Sequence, residues 1–391
     1  MRILTRYVLF ELLQIFLLSL AGLTALIFIA LIGKEAVSKG LGLGPLLRMS
    51  PYLLPQAMQF AVPGTMLLAT TSVYGRLSAF NEVVAVKSLG VSPWSLVKPT
   101  IVLAAITSLG AVALNDLAVS WGRLGVQRVF VESIEEVIYN QLHLHRTYSA
   151  GRAQINVRRV EGRRLIRPTL TVQRAEGEQP LTVTAASAEL RSDPARHKLV
   201  VTFTDLDVDG PIKIWDPSEF THEIDLEELV GGGGRSTSTF SLTEIGAEVE
   251  RSRQSSKDLQ WEKQAESTIA MLTGDFDRLS NEAWTPLDNR TAGLEHHLRR
   301  LGVEPYRRWA NGFSCLCFVM IGAPMAILRQ KGEFLASFFL CFLPILLVYY
   351  PLLMASVDLA KSGDLPPAAV WIGNLVLAAW GLAMMRRVNA H

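Results

Sequence analysis

The chain has 391 residues, 49% of them hydrophobic and 19% charged, with a formal net charge of +2. This composition excludes a disordered chain and a small disulfide-built secreted domain. Charge is unevenly spread: residues 122–308 hold 25 Lys and Arg against 29 Asp and Glu, and the remainder holds 13 against 7. With so slight a net charge and no basic run, sequence-independent binding to nucleic acid has no electrostatic support.

A membrane-spanning helix needs about 20 mostly apolar residues, because a hydrocarbon core of about 30 Å is crossed at about 1.5 Å per residue. Six stretches qualify: Tyr7 to Ile32, Tyr52 to Tyr74, Ile101 to Trp121, Trp309 to Leu328, Phe334 to Val357 and Ala368 to Met385. The first is too long for a signal-peptide core and lacks a small-residue cleavage site after it, so it is read as retained. With the N-terminus inside, the cytoplasmic segments carry Arg2, Arg6, Arg76, Lys87, Lys98, Arg329, Lys331, Arg386 and Arg387. The short outer loops carry Lys34, Lys39, Arg48 and Lys361. This asymmetry places both termini in the cytoplasm and the long middle segment outside.

At the outer end of span one stand Lys34 and Glu35. Lys34 has two readings: snorkelling to the interface, or attraction of an anionic lipid headgroup. Glu11 can reach the inner interface and Asp116 the outer one, so neither supports a proton relay.

Between spans two and three, Ser78 is a candidate N-cap, Gly90 a helix stop, and Pro93 a block to continuation. They bracket an inner helix of about three turns. Such a helix either anchors in headgroups or docks in a groove of a soluble partner. Glu82 suits anionic headgroups poorly and favours docking.

From about Tyr148 to Leu229, short alternating runs such as Leu199, Val201 and Phe203, followed by Leu206 and Val208, are separated by turn signals at Glu161-Gly162, Asp193-Pro194 and Asp209-Gly210-Pro211. Period two with frequent turns predicts an antiparallel β-domain, a sandwich or open barrel whose edge is available for strand addition. Gly231 to Gly234 mark a flexible break. The stretch from Leu242 to Leu298 reads as polar helices that serve as a linker, a subdomain or a partly disordered segment.

No phosphate-binding loop, zinc-protease motif or nucleophile elbow is present, so an enzyme reading has no nucleophile or metal, and no cofactor is expected. Cys315, Cys317 and Cys341 lie in apolar runs and read as small hydrophobes. His143-x-His145 would share one face of a strand, and His296-His297 forms a second pair. Neither has a third ligand at metal spacing.

Three spans, an outer β-domain and three more spans resemble the LptF/LptG family (YjgP/YjgQ type), the permease subunits of the lipopolysaccharide exporter. The likeness is carried by Tyr52-Leu53-Leu54-Pro55, Val62-Pro63, Gly75-Arg76-Leu77-Ser78, Glu82, Leu89-Gly90-Val91-Ser92 and Lys98-Pro99. In the C-terminal half it is carried by His297-Leu298-Arg299-Arg300, Ile321-Gly322-Ala323-Pro324, Ser362-Gly363, Leu365-Pro366-Pro367 and Asn374.

The resemblance implies an α-helical membrane protein with six transmembrane helices and an extracytoplasmic jelly-roll-like β-domain between helices three and four. The expected organisation is residues 1–121 for spans one to three, with a coupling helix at about 76–90. Residues 122–230 form the periplasmic domain, 231–307 a polar helical extension, and 308–391 spans four to six.

The implied partners are a cytoplasmic LptB-like ATPase dimer, a sister or identical permease, periplasmic LptC/LptA-like jelly-roll proteins, and a lipopolysaccharide or related glycolipid. Glu82 falls at the family's acidic coupling position. Arg76, Ser78, Asn81, Lys87 and Gly90 accompany it in the segment expected to couple to the ATPase. Lys34 is the expected headgroup residue. Permeases for another envelope lipid or lipoprotein, and a non-transport scaffold, remain the alternatives. The sequence does not choose between an F-like and a G-like subunit.

Overall fold

The computed structural model describes residues 2–39, 41–150, 153–172, 181–193, 198–209, 214–225, 236–274, 281–329 and 334–390. Gly231 to Gly234, Lys331, Pro194, Gly210 and Pro211 lie outside them. The described chain divides into two compact units. One comprises residues 1–27, 55–120 and 236–391, and the other 28–54 and 121–235.

The first unit is helical. It takes in most of α1 (Arg2–Lys39) and α2 (Leu43–Ala79), then α3 (Glu82–Ser88) and α4 (Pro93–Leu117). Five helices among the described residues are long and apolar enough to cross a membrane: Thr5–Ser38, Pro93–Glu132, Leu287–Leu328, Phe338–Ser362 and Pro367–Asn389. The sixth expected span, Tyr52 to Tyr74, is continuous helix within α2 but is less apolar than these five. Gln56, Gln59 and Thr65, Thr70 and Thr71 dilute it. The threonine hydroxyls donate to carbonyls of their own helix, Thr70 to Met66 at 2.7 Å and Thr71 to Leu67 at 3.0 Å. Its surroundings are protein: Val62, Met66, Val73 and Tyr74 are buried in one apolar cluster with Val8 and Leu12 of α1 and Cys315 and Val319 further on.

The C-terminal part of this unit contains α7 (Leu242–Thr273) and α8 (Asn281–Leu328), then α9 (Phe334–Pro344), α10 (Tyr350–Ser362) and α11 (Ile372–Ala390). The last part of the polar extension, from Asn281, runs on into span four as one unbroken 48-residue helix, α8. Helix α7 packs along α8. Its Lys263 pairs with Asp288 and lies over the Trp284 ring, 5.4 Å from the centroid. Ser241 starts α7 with a capping box: its hydroxyl accepts from Glu244 N, and the Glu244 carboxylate accepts from Ser241 N.

Close helix approach is set by small residues. A Cβ on Gly381 would stand 2.5 Å from the Met320 carbonyl oxygen, and one on Gly312 only 2.2 Å from Val112 Cγ2. A π-turn at Ile345–Tyr349 follows Pro344, whose missing N–H interrupts the helical ladder there.

The second unit contains α5 (Leu124–Glu132), α6 (Ile134–His145) and a curled antiparallel sheet, half of a barrel in the jelly-roll manner. Its strands are β1 (Thr147–Ala150), β2 (Ala153–Asn156), β3 (Arg159–Glu161), β4 (Arg164–Ile166), β5 (Thr169–Val172), β6 (Leu181–Asp193), β7 (Lys198–Asp209) and β8 (Ile214–Asp225). Their order is β1-β2-β5-β6-β4-β3, with β7 on β6 and β8 on β7. Leu199, Val201 and Phe203 alternate inward as period two requires. Ile134, Ile138 and Leu142, four apart on α6, fill the same core. The Tyr139 hydroxyl accepts from Leu190 N at 3.0 Å, and the Glu135 carboxylate accepts from Ser192 N at 3.0 Å. Helices α5 and α6 were not anticipated. They place His143 and His145 about 200° apart on a helix rather than on one face of a strand.

Candidate functional site

The first site lies at the end of α2 and in α3. Ser78 does not cap a helix. It sits in the last turn of α2, and its hydroxyl donates to the Ile327 carbonyl of α8 at 2.8 Å. The cap is Asn81, at φ 59, a left-handed conformation that a short polar side chain tolerates. Helix α3 is therefore seven residues, about two turns, and Glu82 occupies its first turn.

Gly90, at φ 77, ends α3 as the spacing predicts. Its N–H reaches the Lys87 carbonyl at 2.9 Å and Val91 N–H reaches Val86 at 3.3 Å, the double closure that a left-handed residue permits. Ser92 then caps α4, its hydroxyl accepting from Trp94 N at 3.3 Å, with Pro93 as first helical residue.

Arg76 and Lys87, half-buried, tie this segment to neighbouring helices. Lys87 Nζ donates to the Val388 carbonyl at 3.2 Å, tying α3 to the end of α11. Arg76 donates to the Tyr7 hydroxyl at 2.8 Å and pairs with Glu11, both on α1. Val83 is buried beneath α3, whereas Phe80 (69% exposed), Val84 and Leu89 (80%) are open. The segment thus offers one acidic residue and three exposed apolar side chains, while Arg76, Ser78 and Lys87 hold it to α1, α8 and α11. Lys34 belongs to the other unit and is exposed on α1.

A second polar cluster was missed from sequence. Arg308, 1% exposed at its side chain, donates to Asp116 Oδ1 at 2.7 Å and to the Phe240 carbonyl. The same Asp116 oxygen accepts from Leu242 N at 2.8 Å. One turn before, Glu304 accepts from Arg307 at 2.6 Å, and its other oxygen is buried without a partner among the described residues. Leu109, Val112, Ala113, Leu117, Ser120, Leu242 and Trp309 line an open groove of about 350 Å³ beside Asp116. A charge just outside the apolar window of span four was the signal available, but its partners lie elsewhere in the chain.

Long apolar helices with a curled antiparallel sheet inserted in sequence between them define a polytopic membrane protein. The family model described as Lipopolysaccharide export system permease LptF/LptG matches residues 6–387, and the chain belongs to that family. No curated protein matches the chain significantly. The spans and the family together point to an inner-membrane protein.

Proposed function

We propose that this chain is the permease subunit of an ABC transporter that extracts lipopolysaccharide or a related glycolipid from the inner membrane. In this reading it passes the lipid to a periplasmic jelly-roll bridge. A separate cytoplasmic ATPase dimer drives it, with a sister or identical permease completing the cavity. Both termini lie in the cytoplasm and the curled sheet in the periplasm, as the basic residues of the short loops favour. The observation that carries the reading is the family match along residues 6–387, joined to a short helix with Val84 exposed on it and Phe80 and Leu89 exposed at its two ends, around Glu82.

Energy input is required because each buried CH₂ contributes about 0.8 kcal/mol to retention, so several acyl chains hold a lipid by tens of kcal/mol. Glu82 and its apolar neighbours seat in the ATPase. Asn81 and Gly90 set the two ends of α3 through their left-handed backbones, and Arg76, Ser78 and Lys87 carry its displacement into the helices they touch. Lys34 meets the anionic headgroup.

The test is Glu82→Arg in the full chain co-expressed with its ATPase. The expected result is loss of copurified ATPase and of transport-linked ATP turnover. Wild-type values of both would overturn docking through this helix.

A further inference from the structure

Tyr7 and Glu11 stand four residues apart on one face of α1, near its inner end. The Arg76 guanidinium engages both, donating to the Tyr7 hydroxyl at 2.8 Å and pairing with Glu11 Oε2. It also lies over the Tyr7 ring, 6.0 Å from the centroid. Flanking this pair, Val8 and Leu12 are fully buried in the cluster that includes Val73 and Leu77 of α2. Farther along α1, Leu17, Leu18 and Leu26 face outward. Span one is thus fastened to α2 near its inner end and presents apolar side chains beyond it.

Arg76 lies six residues before Glu82, and the turn that carries it is tied by Ser78 to α8. Apolar packing of the kind in that cluster lets helices slide, because the hydrophobic effect is non-directional. A guanidinium held by two oxygens of one helix face resists sliding, because its hydrogen bonds have fixed directions. The Glu11 side chain is 19% exposed and that of Arg76 40%, so the pair is partly screened by solvent but less than one in open water. Resting on the docking reading above, we infer that Tyr7, Glu11 and Arg76 form the link through which a displacement of α3 moves span one. Glu11 is then a positioning residue that acts through Arg76, and it touches neither ATPase nor lipid.

The experiment uses the full chain assembled with its ATPase and second permease in proteoliposomes containing lipopolysaccharide. Lipid released per ATP hydrolysed and ATPase retained on purification are measured for Glu11→Arg, Arg76→Glu, the double reversal, Glu11→Gln and Glu82→Arg. Glu11→Arg is expected to keep its ATPase, and each single reversal to lower lipid released per ATP by about five- to twentyfold, within the range of ordinary coupling between sites. The double reversal is expected to regain most of the wild-type ratio, which a merely lost contact would not do.

An unchanged ratio in the single reversals, or a double reversal no better than either single, overturns the link. If the reversals fail to assemble, the near-isosteric Glu11→Gln decides: a lowered ratio with ATPase retained supports the link, and a wild-type ratio overturns it. Failure of the docking reading is separable, because it appears as a Glu82→Arg complex that keeps its ATPase and turnover.

Discussion

Arg308 and Asp116, 192 residues apart in sequence, meet at 2.7 Å, and the guanidinium between them and the Phe240 carbonyl is almost wholly buried. Through this one side chain α8 is joined to α4 and to the segment that opens α7. Asp116, 27% exposed, also satisfies the first N–H of α7. Asp116→Leu strands the buried guanidinium and is expected to destabilise the chain by about 3–5 kcal/mol, whereas Arg308→Met leaves a carboxylate that solvent and the Leu242 N–H still reach and is expected to cost less. The double substitution is expected to recover most of that loss. Thermal unfolding in detergent measures the series, and additive single losses in the double variant would contradict the pairing.

Backbone contact at Gly381 leaves no room for a methyl group, whereas a Cβ added to Gly110 would meet nothing within 4 Å. Gly381→Ala is expected to cost about 1–3 kcal/mol through overpacking. Gly110→Ala is expected to be neutral or to stabilise by about 0.5–1 kcal/mol through helix propensity. Parallel melting curves of the two variants check the contrast.

Burial raises the Tyr139 hydroxyl above the usual phenol range, and the Leu190 N–H that donates to it offsets part of the rise. A group raised on folding stabilises below its unfolded pKa of about 10 and loses that contribution as pH climbs through the folded value. Burial raises Tyr148 in the same direction. The sheet unit is therefore expected to weaken above about pH 10, and Tyr139→Phe to be less stable at pH 8 but less sensitive to alkali. Denaturant titrations followed by circular dichroism on either side of that pH test this.

Ser241→Ala breaks one half of the capping box at α7 and is expected to cost about 1 kcal/mol. Amide exchange should quicken at Glu244 and Ile245, whose N–H groups lie in the first turn, and remain unchanged near Ala270.

For Lys34, a photo-crosslinking residue at that position in the assembled transporter is expected to capture lipopolysaccharide. Absence of any lipid adduct would return Lys34 to a side chain that merely reaches the interface.

Much of the architecture was legible because its physics is local. Period two in Leu199, Val201 and Phe203 announced β7. The switch to Leu206 and Val208 coincides with a register shift between Thr204 and Leu206 and with Asp205 at φ 60. Gly90 was readable as a helix stop because its left-handed backbone disfavours a Cβ. Ser78 misled because α2 continues through it to Ala79, which gives it a helical backbone that an N-cap lacks, and its hydroxyl instead donates to Ile327, 249 residues away. Helices α5 and α6 were missed although Ile134, Ile138 and Leu142 hold helical spacing. Their mixed composition resembled neither a span nor a strand.

Membrane crossing, a β-domain inserted midway and a short helix around Glu82 after the second helix could all be read along the chain. Each of these rests on periodicity, apolar length or the backbone limits of single residues. Which charges are partnered depends on the packed fold. Arg76 meets Glu11, Arg308 meets Asp116, and Lys87 meets the Val388 carbonyl because helix packing brings them within hydrogen-bonding reach. Such contacts act over about 3 Å, and no pattern along the chain specifies which distant residue will stand there.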